Sequence, residues 1–192
     1  VVSGAAERMA ERSRFLGPAY PFLLDDEGDV LDYDWDGSSL GKGAYLLSLI
    51  LSHLSAISPV LDGSCVYPEA SEIVQLRRYL QYFATAALAA EVRGRAWSFD
   101  SPRPDGSGFI DKLEEIWSEL RDGQVEPQIG APIHAKDDQI DVFAARLHAD
   151  RLPGFLLAAA QVATGKLWKG KDIRSHLEVF NKRWFGSQPV TQ

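Results

Sequence analysis

The sequence predicts an α/β fold in which a small mixed β-sheet is flanked by helices. Apolar residues recur every three or four positions in several long segments, which is the periodicity of amphipathic helices. Shorter apolar or alternating segments lie between those helices and predict strands, two of which follow each other as a hairpin. The resulting order is helix, long helix, strand, helix, hairpin, helix, and it places helices on both faces of the sheet.

The composition predicts a soluble protein. A chain of 192 residues, 45% of them hydrophobic and 24% charged, is long enough for one domain with a sizeable core. Its longest apolar stretch, residues 44–60, contains Ser48, Ser52 and His53, and is too short and too polar to span a bilayer. No secretory signal is evident. We therefore expect no membrane association.

The single cysteine, Cys65, excludes an internal disulfide framework and a cysteine zinc site, and it predicts a protein of the reducing cytoplasm. The chain starts with Val1 instead of methionine, so we expect it to be part of a longer protein. We predict an N-terminal arm with an acidic loop over residues 1–41 and the α/β domain over residues 42–192.

The N-terminal segments are expected to differ from one another in structure. Residues 1–14 predict a short polar helix. Residues 15–36 predict a loop, because prolines interrupt them and acids crowd their end. Residues 42–54 predict a helix that is apolar nearly all round and hence buried, with His53 as a hydrogen-bonded core residue in preference to a metal ligand.

The longest helix is predicted to begin with Ser71 as its N-cap and to end at Gly94. Its apolar stripe leaves Gln81 outside the core. The other predicted elements are a strand at residues 95–99, a helix at 109–120, a connection at 124–136, antiparallel hairpin strands at 140–147 and 154–162, and a last helix at 171–185.

Charge is spread unevenly along the chain. A net charge of −7 argues against a general nucleic-acid coat protein, because binding to the phosphate backbone depends on Lys and Arg. Residues 25–36 hold seven acids and no base, whereas residues 166–183 hold six bases against two acids. The basic segment fits a solvated helix face and a phosphate-binding surface equally well. Its candidate nucleic-acid-binding residues are Lys169, Lys171, Arg174, Lys182 and Arg183.

Polar side chains lie at the ends of the two hairpin strands. Asp138 and Asp141 stand at the start of the first strand, and Gln161 and Lys166 follow the apolar run of the second. Hydrolysis of a phosphodiester needs an activated water and neutralisation of the charge on the phosphate, and Mg²⁺ supplies both through oxygen ligands. Asp141 and Gln161 are therefore candidate metal ligands, and a nearby lysine can hold the phosphate.

The pattern Asp138-x-x-Asp141-Val, followed by an apolar strand that ends in Gln161, resembles the PD-(D/E)XK restriction-endonuclease-like superfamily, in particular its restriction-type branch. The resemblance covers residues 71–184. It implies a restriction-endonuclease-like core and a site that binds Mg²⁺ or Mn²⁺ to cleave DNA. The ending Gln161-x-Ala-Thr-Gly-Lys166-x-Trp is similar to a variant in bacterial anti-phage proteins, which implies DNA and other subunits of a defence complex as partners.

The resemblance implies Asp141, Gln161 and Lys166 as catalytic residues, and Asp141, Gln161, Asp138 and Gln81 as metal ligands. Two positions depart from the family's pattern. The family's lysine lies two residues after the Glu or Gln, where this chain has Ala163, and Lys166 lies five residues after Gln161. The family's first helix often supplies a Glu, and the matching region here offers Gln81.

Simpler structural roles remain open beside these. Asp138 fits a solvated turn residue, Gln161 fits a cap that bonds to backbone, and Lys166 and Lys169 fit surface positions. Trp97, Trp117, Trp168 and Trp184 are expected to pack in the core in preference to stacking on bases.

Three functions compete on this basis. The first is a metal-dependent DNA endonuclease of a bacterial restriction or anti-phage system, and the second is a catalytically silent module with the same fold that binds nucleic acid or assembles a complex. The third is a protein-interaction subunit in which residues 25–36 dock a basic partner. The substrate form and the formation of a homo-oligomer stay open.

Other catalytic motifs fail on inspection. The segment Ala163-Thr-Gly-Lys166 lacks the first glycine of a phosphate-binding loop, where Ala160 stands, and has Leu167 in place of Ser or Thr. The four histidines show no ligand spacing, and no G-x-S-x-G motif is present.

Overall fold

The structure, a computed structural model, describes residues 2–28, 30–57, 69–133, 135–136, 138–150, 155–163 and 170–187. The chain divides into two units, Val1–Glu69 and Ala70–Gln192. None of the helices within the described ranges is long and apolar enough to cross a bilayer.

The first unit contains two helices and a β-hairpin. Its elements are α1 (Val2–Leu16), a 3-10 turn (Gly17–Ala19), β1 (Phe22–Leu24), β2 (Leu31–Tyr33) and α2 (Leu40–Ile57). The prediction of a loop over residues 15–36 was wrong, because β1 and β2 pair antiparallel there. The turn between them is closed by Asp25, whose Oδ1 accepts the backbone N–H of Val30 at 3.0 Å. Side chain to backbone bonds of this kind stabilise turns without an apolar pattern.

Helix α2 is less buried than its composition predicts. Most of its described side chains are half-buried, Leu51 is buried, and His53 is exposed. The ring Nδ1 of His53 lies 2.9 Å from the carbonyl oxygen of Leu49, so the expected hydrogen bond is confirmed but the core position is wrong. Aromatic contacts of Tyr20 with Tyr45 and Phe22, at 5.2 and 5.7 Å between ring centroids, pack the helix against the hairpin side of the unit.

The second unit contains the sheet. Its elements are α3 (Ala70–Val92), β3 (Arg95–Ser98), α4 (Phe109–Leu120), β4 (Val142–Arg146), β5 (Leu156–Ala160) and α5 (Ile173–Trp184). The predicted α/β class and element order are confirmed. The expected mixed sheet is wrong for the part of the chain that the structure describes, since β3, β4 and β5 are antiparallel to their neighbours in the order β3-β4-β5. Ser71 lies inside α3 and is not its N-cap.

Both faces of the central strand β4 are covered. Residues 142–145 are all buried, and their side chains alternate between the two faces. Phe143 lies beside Trp97 and Ala159 in the strand register and joins the aromatic core formed with α4 and α5. Val142 pairs with Ser98 and faces α3 on the other side. The sheet is therefore packed between helices, as predicted.

The aromatic core explains why α4 and α5 form where the periodicity places them. Phe180 of α5 lies 5.6 Å from Phe143 and 6.0 Å from Phe99 between ring centroids. Trp184, one turn further along α5, lies 4.5 Å from Phe109. The predicted apolar face of α4 is buried in the same core, and it consists of Phe109, Leu113, Ile116, Trp117 and Leu120.

Replacing Gly94 with alanine is expected to lower the free energy of unfolding by about 1–3 kcal/mol, because a Cβ there would clash with the backbone of the neighbouring strand β4. It would lie 2.1 Å from the carbonyl oxygen of Ala145, which is backbone and has little room to move. Gly170→Ala is the matched control, since its Cβ would meet nothing within 4 Å. Urea unfolding of both variants measures the difference, and equal stability would contradict the close approach of Gly94 to β4.

Candidate active site

Asp141 directly precedes the central strand β4, at the end of the sheet where β3 and β5 end on either side of it. Its backbone N–H donates to the carbonyl oxygen of Ala160 at 3.0 Å. Its own carbonyl oxygen accepts the N–H groups of Phe99 at 2.8 Å and Asp100 at 3.2 Å. The backbone of Asp141 is thus held by the ends of both β3 and β5, which makes its position rigid.

The carboxylate of Asp141 is buried, with the residue only 8% exposed. Its Oδ2 accepts the backbone N–H of Val162 at 2.5 Å. A buried charge is costly unless hydrogen bonds or a cation compensate it, and bonds from N–H groups to carboxylates are among the stronger ones. Asp141 therefore has a structural role at the end of β5, and its anionic oxygens lie where a cation would be stabilised.

Gln161 lies close to Asp141 at the same end of the sheet. Val142 and Ala160 form the last register pair of β4 and β5; Asp141 directly precedes β4, and Gln161 directly follows β5. Oδ2 of Asp141 accepts the N–H of Val162, the residue after Gln161. The Nε2 of Gln161 donates to Oε1 of Gln139 at 3.2 Å. Its Oε1 is buried and accepts no hydrogen bond from any residue that the structure describes. An orphaned acceptor of this kind costs about 1–3 kcal/mol, and it calls for a partner.

Asp138 is held by the last helix. Its Oδ1 accepts a hydrogen bond from Nη1 of Arg183 in an ion pair, and its Oδ2 accepts from Nε1 of Trp184 at 2.7 Å. Its backbone is left-handed, with φ of 49°, and Gln139 follows with φ of 72°. The structure therefore uses this carboxylate to fasten the segment before β4 to α5, and Arg183 serves that contact.

Gln81 reaches the site from α3. It is buried, and its Nε2 donates to Oγ of Ser98 at 2.6 Å and to the carbonyl oxygen of Asp141 at 3.4 Å. The sequence placed it outside the core-facing stripe of the helix, and that placement was wrong. The amide nitrogen of Gln81 donates both of these hydrogen bonds, so the amide oxygen is the atom of this side chain that could bind a cation.

The other predicted site residues are spread out. Lys166 and Lys169 lie outside the described residues, as does Trp168. Lys171, Arg174 and Lys182 are exposed on or near α5. Trp97, Trp117 and Trp184 are buried, so their expected packing role is confirmed. Within the described ranges, no three His, Cys, Asp or Glu side chains lie close enough together to form a metal-binding group.

A second polar cluster lies beside the core, and the sequence analysis did not predict it. Lys112 is only 7% exposed, and its Nζ donates to Asp105 at 2.7 Å and to Glu115 at 2.8 Å. The hydrogen bond from Lys112 holds the pKa of Asp105 well below its usual range, assisted by bonds from Ser107. The spacing Asp105-x-Ser107 is a recognisable Asx-turn pattern, whereas the burial of a lysine at a helical position is visible only in three dimensions.

Arg103 is the other buried cation that was missed. Its guanidinium lies over the rings of Phe99 and Phe109, at 5.0 and 5.6 Å from their centroids, and donates to the carbonyl oxygens of Ser107 and Lys136. It connects the turn after β3 to the segment that precedes the site. Arginine suits such a position because its planar group stacks on rings while donating at its edge.

No protein-family model matches the chain, and no match is found among curated proteins or among solved structures. Similarity to known proteins therefore does not show a family. What bears on function is the pairing of Asp141 with Gln161 at one end of the sheet, together with the residues that hold them there.

Proposed function

We propose that this protein is a metal-dependent nuclease that hydrolyses DNA phosphodiester bonds, with Asp141 and Gln161 as ligands of Mg²⁺ or Mn²⁺. The observation that carries the proposal is the buried, unpartnered Oε1 of Gln161 beside the buried carboxylate of Asp141. A divalent cation would give the amide oxygen its missing partner and would offset the cost of burying the carboxylate.

The donors present suit a hard cation. Mg²⁺ is usually held by one or two carboxylates, and waters and substrate phosphates complete its octahedron. When bound, such an ion activates a water and neutralises charge on the phosphate. Asp141 would supply the negative charge and the fixed position, Gln161 a neutral oxygen, and the oxygen of Gln81 a further candidate ligand. Lys166 would hold a phosphate oxygen, as the resemblance implies.

A restriction-endonuclease-like core is part of the proposal. The order α3, β3, α4, β4, β5 and α5 supports such a core through its helix-flanked sheet, although the described sheet is antiparallel instead of mixed. Asp141 directly precedes β4 and Gln161 directly follows β5. DNA as substrate, a restriction or anti-phage role and partner subunits of a defence complex follow from that resemblance, and a cytoplasmic location follows from the single cysteine. The proposals on substrate, role and partners depend on the nuclease activity and fail if it is absent.

The test is cleavage of labelled double-stranded and single-stranded DNA, with RNA for comparison, at several concentrations of Mg²⁺ and Mn²⁺. We expect cleavage of DNA that a chelator stops and that added Mn²⁺ restores. Calorimetric titration of the protein with Mn²⁺ gives a reading that does not depend on cleavage. Absence of cleavage with every substrate, combined with absence of Mn²⁺ binding, would defeat the proposal.

Replacing Gln161 with glutamate is expected to tighten Mn²⁺ binding by roughly ten-fold, because metal affinity rises with the charge of the ligand set. Calorimetric titration measures the change, and the Mg²⁺ concentration for half-maximal cleavage should fall with it. Gln124→Glu, an exposed position, adds the same charge away from the site and serves as control. Equal affinities for the two variants would show that Gln161 does not bind the metal.

A catalytically silent module for nucleic-acid binding or assembly is the second candidate. It is favoured by the contacts of two implied ligands, since Asp138 is bound by Arg183 and Trp184, and Gln81 donates to Ser98. Under this alternative DNA binding persists in chelator, weakens steeply with salt and is never followed by cleavage. Mn²⁺ binding at Asp141 would decide against it.

A further inference from the structure

The direction of α3 places its first half beyond the end of the sheet that carries Asp141. At its C-terminal end, Gly94 approaches the carbonyl oxygen of Ala145. Gln81, earlier in the helix, contacts Ser98 and Asp141 at the opposite end of the same strands. The residues before Gln81 therefore continue past the end of the sheet at which Asp141 and Gln161 lie.

Arg77 is a cation that this arrangement carries past the end of the sheet where Asp141 lies. It precedes Gln81 by four residues, so it shares the face of Gln81 and lies about 6 Å further along the helix axis. Side chains on a helix lean towards its N-terminus, which carries the guanidinium further past the sheet. Arg77 is exposed, and among the described residues no ion pair or hydrogen bond holds it.

The acids of α3, Glu72 and Glu91, lie near its two ends, five and fourteen residues from Arg77. From Ile73 to Ala90 the sequence contains no Asp or Glu, and Arg77 and Arg78 are the charged residues of that stretch. Arg78 is also exposed but lies about 100° further round the helix, away from the face that Gln81 directs to the sheet. The two arginines are thus neighbours in sequence with different positions relative to the site.

We propose that Arg77 binds a backbone phosphate of the nucleic-acid strand and positions that strand over Asp141 and Gln161. The inference rests on the proposed nuclease function and adds a substrate-positioning residue to it. The planar guanidinium is always charged and donates two parallel hydrogen bonds to a phosphate, which gives orientation as well as attraction. The ligand is the phosphate backbone, so the contact is independent of base sequence.

Binding is measured by fluorescence anisotropy of labelled DNA in chelator, with Asp141→Asn in every protein to exclude cleavage. Arg77→Ala is expected to weaken binding by about ten-fold, from the loss of a charge-assisted contact. The slope of log affinity against log salt should fall in magnitude by about one, as for one lost phosphate contact. Arg77→Lys should keep the salt dependence of the affinity but lose part of the affinity itself. Lysine keeps the positive charge but cannot donate two parallel hydrogen bonds to a phosphate.

Arg78→Ala is the matched control and should change affinity less than about three-fold, as expected of an exposed charge without a fixed partner. In the cleavage assay, with Asp141 intact, Arg77→Ala should raise KM and leave kcat nearly unchanged. Equal effects of Arg77→Ala and Arg78→Ala would indicate general attraction and overturn the assignment. So would an unchanged salt slope, or a wild-type chain that binds no nucleic acid.

These outcomes separate the two proposals. If binding depends on Arg77 but no cleavage or Mn²⁺ binding is found, the nuclease proposal fails and the phosphate contact stands. If cleavage requires Asp141 but Arg77→Ala changes neither the KM nor the salt dependence of DNA binding, the nuclease proposal stands and the role of Arg77 is refuted.

Discussion

Replacing Asp141 with asparagine is expected to lower Mg²⁺-dependent DNA cleavage by about a thousand-fold, since a bound metal contributes several kcal/mol and each 1.36 kcal/mol is a factor of ten. Asparagine has nearly the same shape and keeps an oxygen that can accept the N–H of Val162, which Oδ2 accepts in the native protein. Folding should therefore survive while the negative charge is lost. Initial cleavage rates and Mn²⁺ titrations measure the two consequences.

Asp141→Ala separates the chemical role of this residue from its structural one. It removes the charge and also leaves the N–H of Val162 without its acceptor, so we expect an additional loss of about 1–3 kcal/mol in unfolding free energy. Glu114→Gln, at an exposed position, removes one carboxylate charge elsewhere and should leave cleavage unchanged. Full activity in Asp141→Asn would mean that Asp141 only closes the end of the sheet.

The largest loss of stability is expected for Phe143→Ala, at about 3–5 kcal/mol. Phe143 is fully buried and lies 5.2 Å from Phe99, 5.2 Å from Trp117 and 5.6 Å from Phe180 between ring centroids. Truncation leaves a cavity between the sheet and both of its covering helices on that face. The fluorescence of Trp117 reports on this region, so urea unfolding followed by tryptophan emission is the suitable measurement.

Phe15→Ala supplies the matched control for the aromatic core. Phe15 is 76% exposed, so its truncation should change the free energy of unfolding by no more than about 0.5 kcal/mol. A loss below about 1 kcal/mol for Phe143→Ala would contradict the packing of the core, because removal of a buried aromatic ring from a dense interior costs several times more.

The fold was predictable where structure follows from local pattern. Helix α4 and the hairpin of β4 and β5 lie within or at the predicted ranges, because apolar periodicity alone specifies them. The hairpin of β1 and β2 was missed because each strand is only three residues long, too short to show a period, and a hydrogen bond from Val30 to Asp25 closes the turn between them. The antiparallel direction of β3 and β4 depends on how the chain returns after α4, which local sequence does not contain.

The candidate site was predictable to the same extent. Strand order alone brings Asp141 and Gln161 together, since they flank the hairpin at the same end. The contact of Gln81 with Ser98 and the ion pair of Asp138 with Arg183 join residues 17 and 45 positions apart. Such pairs arise from the packing of whole elements, and no spacing rule in the sequence predicts them.

The hydrogen bonds between Asp138 and the end of α5 affect the order in which the protein folds during synthesis. Synthesis proceeds from the N-terminus, so every strand of the sheet leaves the ribosome before Arg183 and Trp184 exist to hold Asp138. A nascent chain, or one cut before that point, would have Asp141 in place but its preceding segment unfastened. The segment before β4 is therefore fastened only after α5 has been synthesised, which makes the local conformation at Asp138 depend on a helix that starts 35 residues later in the chain.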